Sequence, residues 1–292
     1  MAPPRLRRLA LSVIPVALAA FLITACGSSG GSSAGDNKLG LIQPGTITAA
    51  ITAGGAPFAS VDANGQPVGL LIDLNNAIAK NLGVKIVYKQ TDVNGAFSGI
   101  TANRYDVLAI GLVDTPAREK SVNFTKPIYY GTNVVLVPKS SSVTSPAQLA
   151  GKRVGASAAS TQYDYAQAAL KGAQLISEAS NSAGISQLSD GNLDAYVGGG
   201  TQIATLMNQA PGKFKIAFTA PQTSPGAIGM NKKEAAFEAA YNTQLANLIN
   251  DGTFLKIYNK FFASLNLPFP PGLYKFWPTL QKQVQAAGGS GS

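Results

Sequence analysis

The sequence predicts a two-lobed α/β fold, with two βαβ-type lobes joined by two crossing strands. Three observations predict it. Strand and helix signals alternate from about residue 46, the alternation stops at Pro138 and restarts near Ser145, and a late strand followed by two helices does not continue the second run. A late segment that returns to the first lobe supplies the second crossing, and such strand pairs commonly act as a hinge.

Each element has its own signal. TITAAI (46–51) reads as a strand, and VGLLIDLNNAIAKNLG (68–83) as an amphipathic helix stopped by Gly83. VKIVYKQ (84–90) is a strand, FSGITAN (97–103) a short helix and YDVLAIG (105–111) a strand, which completes βαβαβ. TNVVLVPKS (132–140) is a strand ended by Pro138, and Ser145 and Pro146 carry the N-cap and first-position chemistry of a short helix closed by Gly151. The strands KRVGAS (152–157), AQLIS (173–177), LDAYVGG (193–199) and KFKIAFT (213–219) then alternate with the helices STQYDYAQAALKG (160–172), AGISQLSDG (183–191) and TQIATLMNQ (201–209). SPGAIGMNK (224–232) is a glycine-bearing strand, and 233–262 gives two amphipathic helices broken at Asp251 and Gly252. The crossings are expected at Asn133–Pro138 and Gly226–Met230. They set lobe 1 at 39–135 and 226–265 and lobe 2 at 136–225, and leave 266–292 as a C-terminal extension. Its prolines and Trp277 fit either a segment wrapping the first lobe or one touching a partner.

The N-terminus gives an address. Arg5, Arg7 and Arg8 precede an uncharged apolar run from Leu9 to Leu22, interrupted by Pro15 and well short of the roughly 20 residues a spanning helix needs, so 1–25 reads as a signal peptide. Thr24 and Ala25 before Cys26 resemble a bacterial lipobox, which makes Cys26 the lipidation site and the first residue of the mature chain. It is the only cysteine, so no internal disulfide can form. The glycine- and serine-rich stretch that follows makes 26–38 a tether with a span of roughly 18 Å, so the folded part should start near Leu39 and work close to the membrane, extracytoplasmic and lipid-anchored.

Composition excludes much chemistry. The chain has no histidine, which removes the usual zinc and copper sites and the His-dependent catalytic triads; no metal and no cofactor are expected. The formal charge is +9, and setting aside the three N-terminal arginines leaves 20 of the 23 basic residues against 14 acidic ones. The lysines are scattered, without the aromatic interleaving of a nucleic-acid groove, so the excess reads as a solvated surface beside an anionic membrane. The glycines of VGGG (197–200) lack the lysine and spacing of a P-loop and read as a strand-to-helix turn.

A series of short motifs carries a resemblance. APF (56–58), G-x-x-x-DL (69–74), FSGI (97–100), YDV (105–107), TPAREKSVNFTKPIYY (115–130), LAGKRVGASAAST (149–161), GNLDAYV (191–197) and INDGTFLKIYNKFF (249–262) follow one another in order over about residues 40–262. Together they resemble the bacterial extracellular solute-binding proteins of the polar amino-acid type, which deliver substrates to ABC importers on a periplasmic-binding-protein-like fold. The resemblance implies a ligand in the cleft between lobes, at the carboxyl ends of the strands, where open α/β sheets bind ligands on physical grounds too. It assigns Arg118 to a ligand carboxylate, which a guanidinium meets with a rigid two-pronged donor face. Ser160 and Thr161, at a helix start, become the second anion contact. Phe58 and Phe97 become the pocket aromatics, with Tyr163 a weaker candidate, and Gly111, Val113 and Gly199 are further ligand-facing positions. On the residues alone, Arg118 also fits a surface ion pair, Ser160 an ordinary N-cap and the aromatics core packing.

Departures from the family pattern are as informative. Where amino-acid binders of this type hold the ligand's α-amino group with acids, this chain has Gly199 and Thr52; where they place a carboxylate-binding hydroxyl, it has Val113; where they lid the ligand with an aromatic, it has Gly55. Burying an ammonium without a partner costs several kcal/mol, and about 1.4 kcal/mol is tenfold in affinity. The expected ligand is therefore a small organic anion, an amino acid or amino-acid-like carboxylate that lacks the usual α-ammonium contact or presents its amine elsewhere, with a monomeric receptor, an ABC permease as partner and no nucleic acid. Asp114 could supply a displaced acid, or simply pair with Arg118 four residues on. The alternatives are an enzyme resembling the cyclohexadienyl dehydratases of this fold, or a ligand-sensing lipoprotein.

Overall fold

The computed structural model describes residues 37–265 and 269–288. The signal peptide, Cys26 and nearly all of the tether lie outside the described residues, as do 266–268 and the last four residues of the C-terminal extension.

The chain begins with β1 (Thr46–Ile51) and a small hairpin sheet of β2 (Gly54–Gly55), β3 (Ala59–Val61) and β4 (Pro67–Val68). It continues through α1 (Leu70–Leu82), β5 (Lys85–Gln90), α2 (Val93–Thr101), β6 (Val107–Val113), α3 (Pro116–Glu119), β7 (Asn123–Phe124) and β8 (Tyr129–Pro138). A 3-10 turn at Pro146–Leu149, with the expected Ser145 cap reciprocated by Gln148, opens the second run. That run is β9 (Arg153–Ser157), α4 (Thr161–Ala169), β10 (Gln174–Glu178), α5 (Asn181–Ser189), β11 (Ala195–Gly199), α6 (Gly200–Gln209) and β12 (Phe214–Met230). The chain then forms α7 (Ala235–Asn250), α8 (Thr253–Phe262) and, within the C-terminal extension, α9 (Pro278–Ala286).

Both lobes share one nine-stranded sheet, in the order β10-β9-β11-β8-β12-β6-β1-β5 with β7 on β12. β5, β1 and β6 are parallel in one lobe and β10, β9 and β11 in the other, as a βαβ reading requires, and the antiparallel pair β8 and β12 joins the halves. The crossing differs from expectation on both strands, since Val134–Val137 of β8 already belong to the second lobe's cores. Gly226–Met230 lies wholly beside β6 and β7, and the passage between lobes comes earlier, where β12 runs from Thr219 to Gly226 against Val134 to Tyr129. KFKIAFT and SPGAIGM are one strand, interrupted by a register break between Thr219 and Thr223 that takes in Pro221, which has no N–H to give to a ladder.

The sheet buries both faces, and residues alternate between them with period two. Val134 and Leu136 join one core of the second lobe with Tyr196 and Ile203, while Val135 and Val137 join the other with Val154 and Ala166. In the first lobe Leu70, Leu74 and Ile78 of α1 pack with Phe237 and Tyr241 of α7, and Ala96 and Ile100 of α2 cover the opposite face with Leu108 and Ile110. The extension adds Leu273, Trp277 and Leu280 to the first lobe's core. Trp277 donates its Nε1–H to the Pro127 carbonyl at 2.6 Å, and Gln283 Nε2 donates to the carbonyls of Ile249 and Asn250 at 2.9 and 3.1 Å, satisfying the C-terminus of α7. The described part of the extension thus wraps the first lobe. None of the described helices is long and apolar enough to cross a membrane.

Candidate ligand-binding site

Where the two lobes meet, a cavity of about 390 Å³ opens at the carboxyl ends of the strands. That volume suits a molecule of amino-acid size. Four helices begin at its wall, and the N-cap residue of each lines it: Asp92 for α2, Ser160 for α4, Ser180 for α5 and Gly199 for α6. Asp92 Oδ1 accepts from Gly95 N at 2.6 Å, Ser160 Oγ from Tyr163 N at 3.1 Å and Ser180 Oγ from Ala183 N at 3.1 Å, whereas Gly199 provides no side-chain cap. Four helix N-termini turned on one space give it a positive bias.

Arg118 is the one arginine or lysine among the lining residues, and Asp92 the one acid. α3 places the arginine: Thr115 caps it, accepting from Arg118 N at 3.3 Å, and Pro116 takes the first helical position. The guanidinium then reaches both sides of the cleft. Nη1 donates to the Val113 carbonyl at 2.9 Å, Nη2 to the Ala159 carbonyl at 3.0 Å, and Cζ stands 5.5 Å from the centre of the Phe97 ring. Burial pushes the Arg118 pKa below its ordinary value, with Tyr129 and Asp164 acting in the opposite sense, and the group remains a cation. Ala159 accepts its bond from a left-handed conformation, φ 53°, at a cost of roughly 1–2 kcal/mol for a non-glycine residue.

Of the positions singled out in the sequence, Arg118, Gly111, Val113, Phe58, Ser160, Thr161 and Gly199 all line this cavity. Phe97 does not: it packs beside the core of Ala96 and Ile100 and meets Arg118 by its ring. α2 starts at Val93, a turn before the expected FSGITAN, and it is Val93, one turn ahead of Phe97 on the same helix, that lines the cavity. Tyr163 packs on the core of the second lobe, and Phe58 is a wall residue largely buried against Tyr129 and Phe262, ring centres 4.4 and 5.5 Å away. Asp114 makes no ion pair with Arg118. Its carboxyl lies next to Glu119, and burial first, then that neighbour, raises its pKa.

Sequence reasoning missed Tyr129, Gln162, Asn181 and Gln202, all on the wall. Burial raises the Tyr129 phenol well above its usual range, Arg118 opposing, so it faces the cavity as a neutral hydroxyl. Gln162 and Gln202 follow directly on the Ser160–Thr161 and VGGGT turns, and that adjacency was the available signal. The acid of YDV is structural: Asp106 is fully buried and accepts from the backbone N–H of Ile42 at 3.0 Å and of Thr48 at 2.5 Å. No cluster of metal-binding side chains occurs among the described residues.

Comparison with known proteins agrees with the fold. The family described as bacterial extracellular solute-binding proteins, family 3, matches residues 47–264. A probable histidine-binding protein of Neisseria gonorrhoeae is 31% identical over 255 residues, covering 85% of this chain and 93% of its own. Among solved structures, an ancestral arginine-binding protein bound to arginine superposes with a TM-score of 0.71 at 31% identity, covering 75% of this chain and 98% of its own. The ancestral amino acid-binding protein AncCDT-1, a precursor of cyclohexadienyl dehydratase, gives 0.68 at 26% identity, covering 75% and 95%.

Proposed function

The chain belongs to the bacterial extracellular solute-binding proteins, family 3, and we propose that within it this protein is the membrane-anchored binding lipoprotein of an ABC importer, carrying a small organic carboxylate in the inter-lobe cleft. The observation that carries the reading is Arg118, a lone cation on a wall with four helix N-termini and a single, capping acid. A carboxylate there exchanges neutral carbonyl partners for a charge-assisted, two-pronged contact, roughly twice as strong per hydrogen bond. Gly111, Val113, Phe58, Ser160, Thr161 and Gly199 form the rest of the ligand wall in this reading, and the Phe97 ring packs on the Arg118 guanidinium.

Two of the relatives named above are a probable histidine-binding protein and an arginine-binding protein bound to arginine, whereas this wall has neutral Thr52 and Gly199 at the positions that hold an α-ammonium in the family pattern. The ligand we propose lacks that contact. It favours closure by bridging the lobes, and the closed form docks on the permease. The protein is then a monomeric receptor and not an enzyme. Asp92 is the one carboxyl among the lining residues and one of its oxygens caps α2, and no second lining acid stands beside it to share acid and base roles, which supports binding over dehydration. Anchoring through Cys26, and the lobe boundaries at 39–135 with 226–265 and at 136–225, complete the proposal.

Native mass spectrometry of protein purified from its own cells identifies a co-purified ligand, and calorimetry with that ligand tests the clamp. Arg118→Ala should weaken binding by about a hundredfold or more, as loss of a buried charge-assisted contact does; unchanged affinity would overturn the reading. Cys26→Ala should move the protein from the membrane fraction to the soluble fraction.

A further inference from the structure

The corner of the cavity at the start of α6 has an unusual composition. Gly199, its N-cap, has no side chain, and its missing side-chain space is occupied from elsewhere: Gln202 Oε1 stands 2.6 Å from where a Cβ on residue 199 would be, and Gln162 Nε2 3.8 Å away. Gln162 is held in place, donating to Asn133 Oδ1 at 3.0 Å on the crossing strand β8. The Gln202 carboxamide lines the cavity half-buried and has no hydrogen-bond partner in the protein among the described residues.

An ammonium placed in this corner would face the positive end of α6 and at best one amide oxygen, with no carboxylate to balance it. A neutral oxygen group is served on both counts. A carbonyl or hydroxyl oxygen accepts from the carboxamide N–H or a first-turn amide, and a hydroxyl can also donate to the carboxamide oxygen.

We infer that Gln202 is the specificity-determining residue for the ligand's second polar group, and that this group is a neutral oxygen function, which makes the ligand class 2-hydroxy or 2-oxo carboxylic acids. The inference rests on the reading of Arg118 as the carboxylate clamp. The Gln202 carboxamide oxygen fills the space that a side chain on residue 199 would take, and a side chain there would have to displace it.

The test is calorimetry with matched triples that differ only at the second carbon: alanine, lactate and pyruvate; leucine, 2-hydroxy-4-methylpentanoate and 4-methyl-2-oxopentanoate; phenylalanine, phenyllactate and phenylpyruvate. The purified protein should prefer an oxygen member over its amino partner by about tenfold or more, since a site that hydrogen-bonds one group penalises its mismatch. Gln202→Ala should collapse that ratio towards one, and Gln202→Glu should turn it towards the amino member, with the fold intact by circular dichroism. Equal or better binding of the amino members, no binding of any triple at millimolar concentration, or a ratio untouched by Gln202→Ala would overturn the inference. Arg118→Ala separates the two readings. If it leaves binding unchanged, the carboxylate clamp falls and this inference with it; if it abolishes binding while Gln202→Ala leaves the ratio alone, only the inference falls.

Discussion

The guanidinium of Arg118 in α3 and the carbonyl of Ala159 in the loop before α4 are joined by a hydrogen bond of 3.0 Å across the cleft. The group proposed to hold the ligand is therefore also a tie between the lobes. A lysine at this position keeps the charge but not the fork, and cannot reach the carbonyls of Val113 and Ala159 together. Arg118→Lys should weaken carboxylate binding by about tenfold or more, as a two-pronged contact becomes a point charge. Small-angle scattering should show a larger radius of gyration for the unliganded variant. A variant as compact as the parent would mean that the tie contributes nothing to closure.

Closure has a second contact at the cavity mouth. A Cβ on Gly54 would stand only 2.4 Å from Ser182 Oγ and 3.3 Å from Ser182 N, so the hairpin of the first lobe meets the start of α5 with no room for a side chain. Gly54→Val should wedge the lobes apart and lower ligand affinity by about tenfold, while thermal stability changes little because the contact lies at the surface. In the smaller variant Gly54→Ala, the added Ser182→Gly should restore the loss. Affinity that is insensitive to both changes would show that the mouth does not close over the ligand.

Much of this was legible in the chain, for reasons that residues make plain. The strand signals of β8 and β9, the Gly83 stop and the Ser145 N-cap position are local signals, and the structure keeps them. Arg118 was legible through its surrounding motif, not by charge alone. The misses are tertiary. Val93 in place of Phe97 depends on Asp92 capping a turn that Val93, Asn94 and Gly95 would not favour by propensity. Gln202 in the space beside Gly199 depends on how α6 sets off from the sheet, and no spacing rule reports the direction of a carboxamide. The passage of β12 through Pro221 needed the partner strand to be visible.

The extension should matter for stability rather than for affinity. Trp277 is 7% exposed, sits in the core of the first lobe and makes the short bond to the Pro127 carbonyl. Trp277→Ala should cost about 3–5 kcal/mol, the usual range for truncating a buried large aromatic, read as a lower midpoint in urea denaturation. Ligand affinity measured well below that midpoint should stay the same. A midpoint within error of the parent would mean that the extension is an appendage and not part of the core.

A last prediction follows from a buried acid far from the chemistry. Glu234, at the start of α7, is 4% exposed, neither carboxyl oxygen has a donor, and burial together with the neighbouring Asp106 carboxylate pushes its pKa up to about 9. The unfolded chain gives up this proton near the ordinary carboxylate value of about 4.5, whereas the folded chain keeps it until about 9. Between those values the folded state binds the extra proton, so this group's contribution to stability is fully present below the lower value, falls as pH rises and is gone above the upper one. Glu234→Gln keeps the shape and removes the titration. The difference in urea midpoint between the parent and Glu234→Gln should shift steadily against the parent from pH 5 to pH 9. A difference that stays flat across that window would show that Glu234 is ionised in the folded protein and that its burial is relieved by water or movement.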